Sequence, residues 1–246
     1  MKSAMRVVVF ASQKGGSGKS TLAAHVVIQA LLTGFGPVAL IDTVAQGSLA
    51  AWHAVRKSDA PAFLQSGQAR LAADLDELRR RGVRLVVIDT PPAATQIIRE
   101  AVGHADLVIV PARPSPHDLR AIGATLDIVE GQGKPFMFIM NDATPFARIT
   151  LDAAMALAQH GTVPPVTIYH RTDYASSMID GRTVMECDPE SRSAWEIAEF
   201  WDCVSAQLRL FDTVRVAATE GRSETAIAGP ASANVIGLGA RLVRSA

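Results

Sequence analysis

The sequence predicts an α/β fold, a doubly wound, mostly parallel sheet with helices on both faces. Three observations carry this prediction. Short, continuously apolar runs alternate with amphipathic stretches, the pattern of strands covered on both sides. A glycine-rich segment, Lys14-Gly15-Gly16-Ser17-Gly18-Lys19-Ser20-Thr21, separates the first apolar run from the first amphipathic stretch. Two later runs close on aspartates, Asp42 and Asp89, at the strand ends where open α/β sheets gather ligands.

The expected strands are Val7 to Ala11, Val38 to Asp42, Leu85 to Asp89, Leu107 to Pro111, Phe136 to Met140 and Val166 to Tyr169. Between and after them, helices are expected over Lys19 to Leu32, Gln68 to Arg81, Pro116 to Glu130, Thr150 to Gln159 and Ser193 to Leu210. The third of these has a defined start. Ser115 is a good N-cap, Pro116 suits the first helical position, and Asp118 stands three residues after the cap. From Asp212 the composition shifts to Ala, Gly, Ser, Thr and Arg without a period, so the chain reads as one domain, 1–211, and a tail, 212–246. The tail run from Val235 to Arg244 is a weak basic amphipathic pattern, and its two glycines lower helix propensity. A frayed end, or a segment packed on the body, fits it better than a membrane anchor.

Composition narrows the function classes. The 246 residues are 48% hydrophobic and 20% charged with a formal net charge of zero, so bulk electrostatics favour neither nucleic acid nor membrane, and any such surface is a local patch. Cys187 and Cys203 lack metal-ligand spacing and read as free thiols of a reducing cytoplasm. No signal peptide is expected before the first strand, and no apolar run has the length of a membrane span. The six histidines are scattered, and neither a metal nor a catalytic role is expected of them.

The loop from Lys14 to Thr21 has the chemistry of a phosphate cradle. Glycines let successive backbone N–H groups converge on one anion, and the helix starting near Lys19 points its positive end there. Lys19 can reach the β- and γ-phosphates, and the Ser20 hydroxyl can ligate Mg²⁺. Asp89, closing an apolar strand before Thr90-Pro91-Pro92, is the kind of acid that holds Mg²⁺ through water. The general form of the loop asks for a further glycine where Gln13 stands, and a second lysine, Lys14, follows it.

With that second lysine, the chain resembles the ParA/MinD family of deviant P-loop ATPases, whose loop reads Lys-Gly-Gly-x-Gly-Lys-Ser/Thr-Thr. The resemblance spans roughly residues 5 to 210. It includes Ile41-Asp42, Val87 to Pro92, the Val110-Pro111 to Ser115-Pro116 segment and Arg171 to Glu186, the last resembling short ParA proteins without an N-terminal helix-turn-helix domain. The resemblance implies binding of ATP and Mg²⁺ by Lys14 to Thr21 with Gln46, Asp42 and Asp89 as acids at the metal, and catalytic roles for Lys14, Lys19 and Asp42. It implies a homodimer closed around two ATP molecules, with Lys14 crossing to the partner's nucleotide. It also implies non-specific DNA binding on the nucleoid in the cytoplasm, for which Arg171 and Arg182 are candidates, and a ParB-like or cargo-adaptor protein that stimulates hydrolysis. The expected role is to partition or position a plasmid, a chromosomal locus or a protein cluster.

One position departs from the family. Where it reads Asp-x-Asp-Pro-Gln, this chain reads Asp42-Thr43-Val44-Ala45-Gln46, and valine has no acceptor to orient a water. Binding should survive while hydrolysis is impaired. The close match of the flanking Ile41 to Thr43 and Gln46 to Leu49 favours alteration at 44 and 45 over natural variation. The alternatives are a MinD-like membrane ATPase regulating division, which needs the tail as an anchor, and a metabolic P-loop enzyme, which needs cluster cysteines near the dimer axis.

Overall fold

A computed structural model describes residues 4–44 and 47–224, with side chains described to residue 210. Seven strands form a single parallel sheet in the order β3-β2-β4-β1-β5-β6-β7. They are β1 (Arg6–Phe10), β2 (Val38–Asp42), β3 (Ala62–Gln65), β4 (Leu85–Asp89), β5 (Leu107–Ala112), β6 (Phe136–Ala143) and β7 (Thr167–Tyr169). Every residue of β1, β2, β4 and β5 is buried, which is why these strands appear as unbroken apolar runs. The doubly wound α/β architecture expected from the sequence is present.

The helices are α1 (Lys19–Leu32), α2 (Ser48–Ala54), α3 (Leu71–Arg80), α4 (Thr95–His104), α5 (Pro116–Gly131), α6 (Arg148–Ala158), α7 (Thr172–Ser177), α8 (Val184–Cys187) and α9 (Arg192–Glu224). At the start of α5, Ser115 Oγ accepts the Asp118 N–H at 3.1 Å and donates to Asp118 Oδ2 at 2.6 Å, so the cap works as the sequence implied. Five elements are not evident in the sequence. Strand β3 is a half-exposed edge strand without an apolar run, α7 and α8 are single short turns, and α2 and α4 follow segments that look like turns. Helix α9 continues to Glu224, past the expected stop at Leu210. Packing divides the chain after Leu208. The run from Val235 to Arg244 lies outside the described residues, as does Gln46.

Register places the functional groups. Strands β2 and β4 pair with Asp42 opposite Asp89, and β1 pairs with β4 so that Phe10 is opposite Asp89. The two acids therefore stand side by side at the carboxyl edge, next to the point where β1 runs into the loop before α1. That helix is fixed through His25, which is fully buried. Its Nδ1 donates to Thr21 O at 2.7 Å, and its Nε2 accepts the Val184 N–H at 3.3 Å. Burial pulls its pKa down to about 4, so the imidazole is neutral, as this donor–acceptor pair requires. On α9, Phe200 and Trp201 are buried, and Trp201 Nε1 donates to Thr33 Oγ1 at 2.9 Å.

Candidate functional site

The loop between β1 and α1 needs its glycines. Gly16 and Gly18 have φ of +73° and +93°, the left-handed region that L side chains rarely adopt. A Cβ on Gly18 would also collide with the Asn141 amide, whose Nδ2 donates to Ser17 O at 2.8 Å. Strand β6 thus holds the loop through Asn141. Gln13, the departure from the general motif, ties the loop to α5: its N–H donates to Thr125 Oγ1 and its Nε2 to Ala124 O, each at 3.1 Å.

The two lysines point to different uses. Lys19 is buried, and its Nζ folds onto the loop to donate to Lys14 O at 3.2 Å. Burial lowers its pKa, and the Asp89 charge opposes that. Lys14 is exposed, and among the described residues its ammonium has no hydrogen-bond or ion-pair partner.

Ser20 Oγ donates to Asp89 Oδ2 at 2.5 Å, and Val44 N–H donates to Asp42 Oδ1 at 2.8 Å. The remaining carboxylate oxygens, Asp42 Oδ2 and Asp89 Oδ1, are buried without a hydrogen-bond partner. Burial raises the pKa of both acids, that of Asp89 to about 7. The Ser20 hydrogen bond opposes the rise at Asp89, and the neighbouring Asp42 charge adds to it. Two carboxylates and a hydroxyl beside a phosphate cradle are hard oxygen donors that suit Mg²⁺. Among the described residues, no group of three or more His, Cys, Asp or Glu could hold a metal ion.

A sign follows for stability. The Asp89 pKa of about 7 lies above the ordinary carboxylate value, so the folded protein binds more protons than the unfolded chain between roughly pH 4 and 7. The Asp89 contribution is therefore full below about pH 4 and lost as pH rises through 7. Asp89→Asn is expected to stabilise the metal-free protein at pH 8 by on the order of 2 kcal/mol, with the gain shrinking toward pH 5. Thermal melts across that range check this; a variant destabilised at pH 8 contradicts it.

The segment after β2 is folded back on these acids. Thr43 Oγ1 and N–H both donate to Asp89 O, at 2.6 and 3.1 Å, and the Gly47 N–H donates to Val44 O at 3.1 Å. A Cβ on Gly47 would collide with the Asp42 carboxylate. Val44 is half-buried and brings only an apolar side chain to this turn. A cleft next to the loop is lined by Gly18, Thr21, Asn141, Tyr169, His170 and Arg171 among others.

Of the two arginines considered for DNA, Arg171 donates Nε and Nη2 to Glu196 Oε1 at 3.0 and 2.7 Å and is mostly buried. Arg182 is exposed and pairs with Asp180 at 2.7 Å, and it does not line that cleft. Asn141, bonded to the loop, and Thr43, bonded to Asp89 O, are contacts not anticipated from the sequence. Asn141 had a signal: it directly follows the apolar run Phe136 to Met140, in the strand-end position that singled out the two aspartates.

Residues 8–217 match the family described as the CobQ/CobB/MinD/ParA nucleotide binding domain. Maintenance of carboxysome distribution protein A of Halothiobacillus neapolitanus is 29% identical over 195 residues, 75% of this chain and 88% of that protein. Protein ParA of Rhizobium radiobacter is 30% identical over 129 residues, 51% of this chain and 56% of that protein. An ATP complex of Cyanothece McdA with an aspartate-to-alanine substitution is 21% identical with a TM-score of 0.67, covering 84% of this chain and 97% of the other; the likeness is one of fold.

Proposed function

The chain belongs to the CobQ/CobB/MinD/ParA nucleotide-binding family, and from that premise we propose that it is a ParA-like ATP switch whose dimeric, ATP-bound state is long-lived. In this reading the loop from Gly15 to Thr21 cradles the phosphates, and Lys19 leaves Lys14 O for the β- and γ-phosphates. Ser20, Asp89 and Asp42 would hold Mg²⁺, which would supply charge neutralisation at the polyphosphate. Gln46 belongs to the same segment. The observation that carries the reading is the division between the lysines, with Lys19 turned into its own loop and Lys14 left facing outward. An ammonium that its own protomer does not use is available to a nucleotide in a second copy, which makes dimerisation and nucleotide state one equilibrium.

Hydrolysis is slow because Val44 occupies the position of a water-orienting acid. The ATP dimer binds DNA without sequence preference, through basic surface that includes the exposed Arg182, and so associates with the nucleoid. Arg171 contributes only if Glu196 releases it. A ParB-like or cargo-adaptor protein then stimulates release, and the cargo is a plasmid, a chromosomal locus or a protein assembly. The carboxysome-distribution relative supports the last class.

Co-sedimentation with non-specific DNA and with anionic liposomes, under ATP and Mg²⁺ at two salt concentrations, tests the downstream half. DNA binding is expected to require ATP, to weaken with salt and to disappear in Lys14→Ala. Binding to liposomes alone overturns the DNA reading in favour of a membrane ATPase.

A further inference from the structure

Arg113 directly follows β5. Its guanidinium lies against the phosphate loop: a Cβ on Gly16 would be 3.6 Å from Nη2 and 4.0 Å from both Cζ and Nη1. The planar cation is therefore within van der Waals reach of the loop at Gly16. On the opposite side, Arg113 Nε faces Asp142 Oδ2 at 3.2 Å, an ion pair without an aligned hydrogen bond. The other Asp142 oxygen is taken by His170 Nδ1 at 2.5 Å. Asp142 itself has a φ of +56°, in the left-handed region, where Asp and Asn are tolerated best. Among the described residues, Nη1 and Nη2 have no hydrogen-bond partner, so the outer fork of the guanidinium is free.

We propose that Arg113 is a phosphate-binding residue of this site, held beside the loop by Asp142 and placing its free fork on the oxygens of a nucleoside polyphosphate when one occupies the loop. The proposal rests on the nucleotide-binding reading above. Its chemistry is that of a planar fork matching phosphate geometry, which a lysine cannot reproduce. Asp142 keeps the cation beside the loop, and its imperfectly aligned contact gives the cation up at little cost.

Fluorescent ATP is titrated into the full chain with Mg²⁺, using wild type, Arg113→Ala, Arg113→Lys, Asp142→Asn and Lys19→Ala, each checked by thermal melting. Arg113→Ala is expected to weaken ATP binding about 10- to 100-fold, with Arg113→Lys recovering only part of the loss. Asp142→Asn frees the arginine and should leave affinity unchanged or tighter. A purely structural ion pair predicts equal losses in Arg113→Ala and Asp142→Asn, and that result overturns the proposal. So does Arg113→Ala binding within twofold of wild type while Lys19→Ala loses affinity. A wild-type chain that does not bind ATP overturns the nucleotide reading itself.

Discussion

Replacing Val44 by Asp and Ala45 by Pro should raise ATP turnover by about 10²-fold or more, the usual contribution of one positioned acid–base group. The expectation comes from what surrounds Val44. Its N–H is held by Asp42 Oδ1, its carbonyl accepts from Gln65 Nε2 at 3.2 Å, and the turn is tied to β4 through Thr43. The backbone is therefore placed, and only the side chain lacks an acceptor. The new carboxylate would join Asp42 and Asp89, whose pKa values burial already raises. Without Mg²⁺ the variant should therefore melt at a lower temperature than wild type, and Mg²⁺-ATP should reverse the difference. Steady-state phosphate release with and without DNA measures the gain. An unchanged rate would mean that Val44 is not what limits hydrolysis.

The second large effect is expected at Gly18. A Cβ there meets the Asn141 amide and must also adopt a φ of +93°, so Gly18→Ala displaces the loop from its anchor on β6. Nucleotide affinity should fall by about 10- to 100-fold, the scale of losing a charge-assisted hydrogen bond from the displaced loop. The sheet lies beneath the loop rather than in it, so the far-ultraviolet circular dichroism should not change. Adding Asn141→Ala removes the collision but not the backbone strain, so the double variant should regain only part of the affinity. Full recovery would assign the whole effect to the amide, and no loss in Gly18→Ala would remove the loop from the binding site.

The central strands and α1 were legible because burial on both faces leaves a continuous apolar signature that no surface demand interrupts. Helix α1 has the residues read for it, Lys19 to Leu32. Strand β3 was not legible, because an edge strand with exposed Ala62 and Gln65 has no such signature. Helix α4 was hidden behind Pro91-Pro92, although Ile98, Ala101 and Val102 have the 3- and 4-residue spacing of a buried helix face. At the site, the two aspartates could be found because each ends an apolar run. Arg113 could not, since its place against Gly16 depends on β5 and the loop meeting in space. The Arg171–Glu196 pair joins residues 25 positions apart, so nothing in the sequence indicates that the arginine is occupied.

The central claim is an ATP-dependent dimer that persists because hydrolysis is slow. Sedimentation velocity on the 26.1 kDa chain, without nucleotide, with Mg²⁺-ADP and with Mg²⁺-ATP, tests it most directly. The account predicts a monomer in the first two conditions and a doubled mass with ATP that lasts for hours, and a monomer throughout for Lys14→Ala. A mass that ignores nucleotide, or an ATP dimer that Lys14→Ala forms equally well, would contradict it.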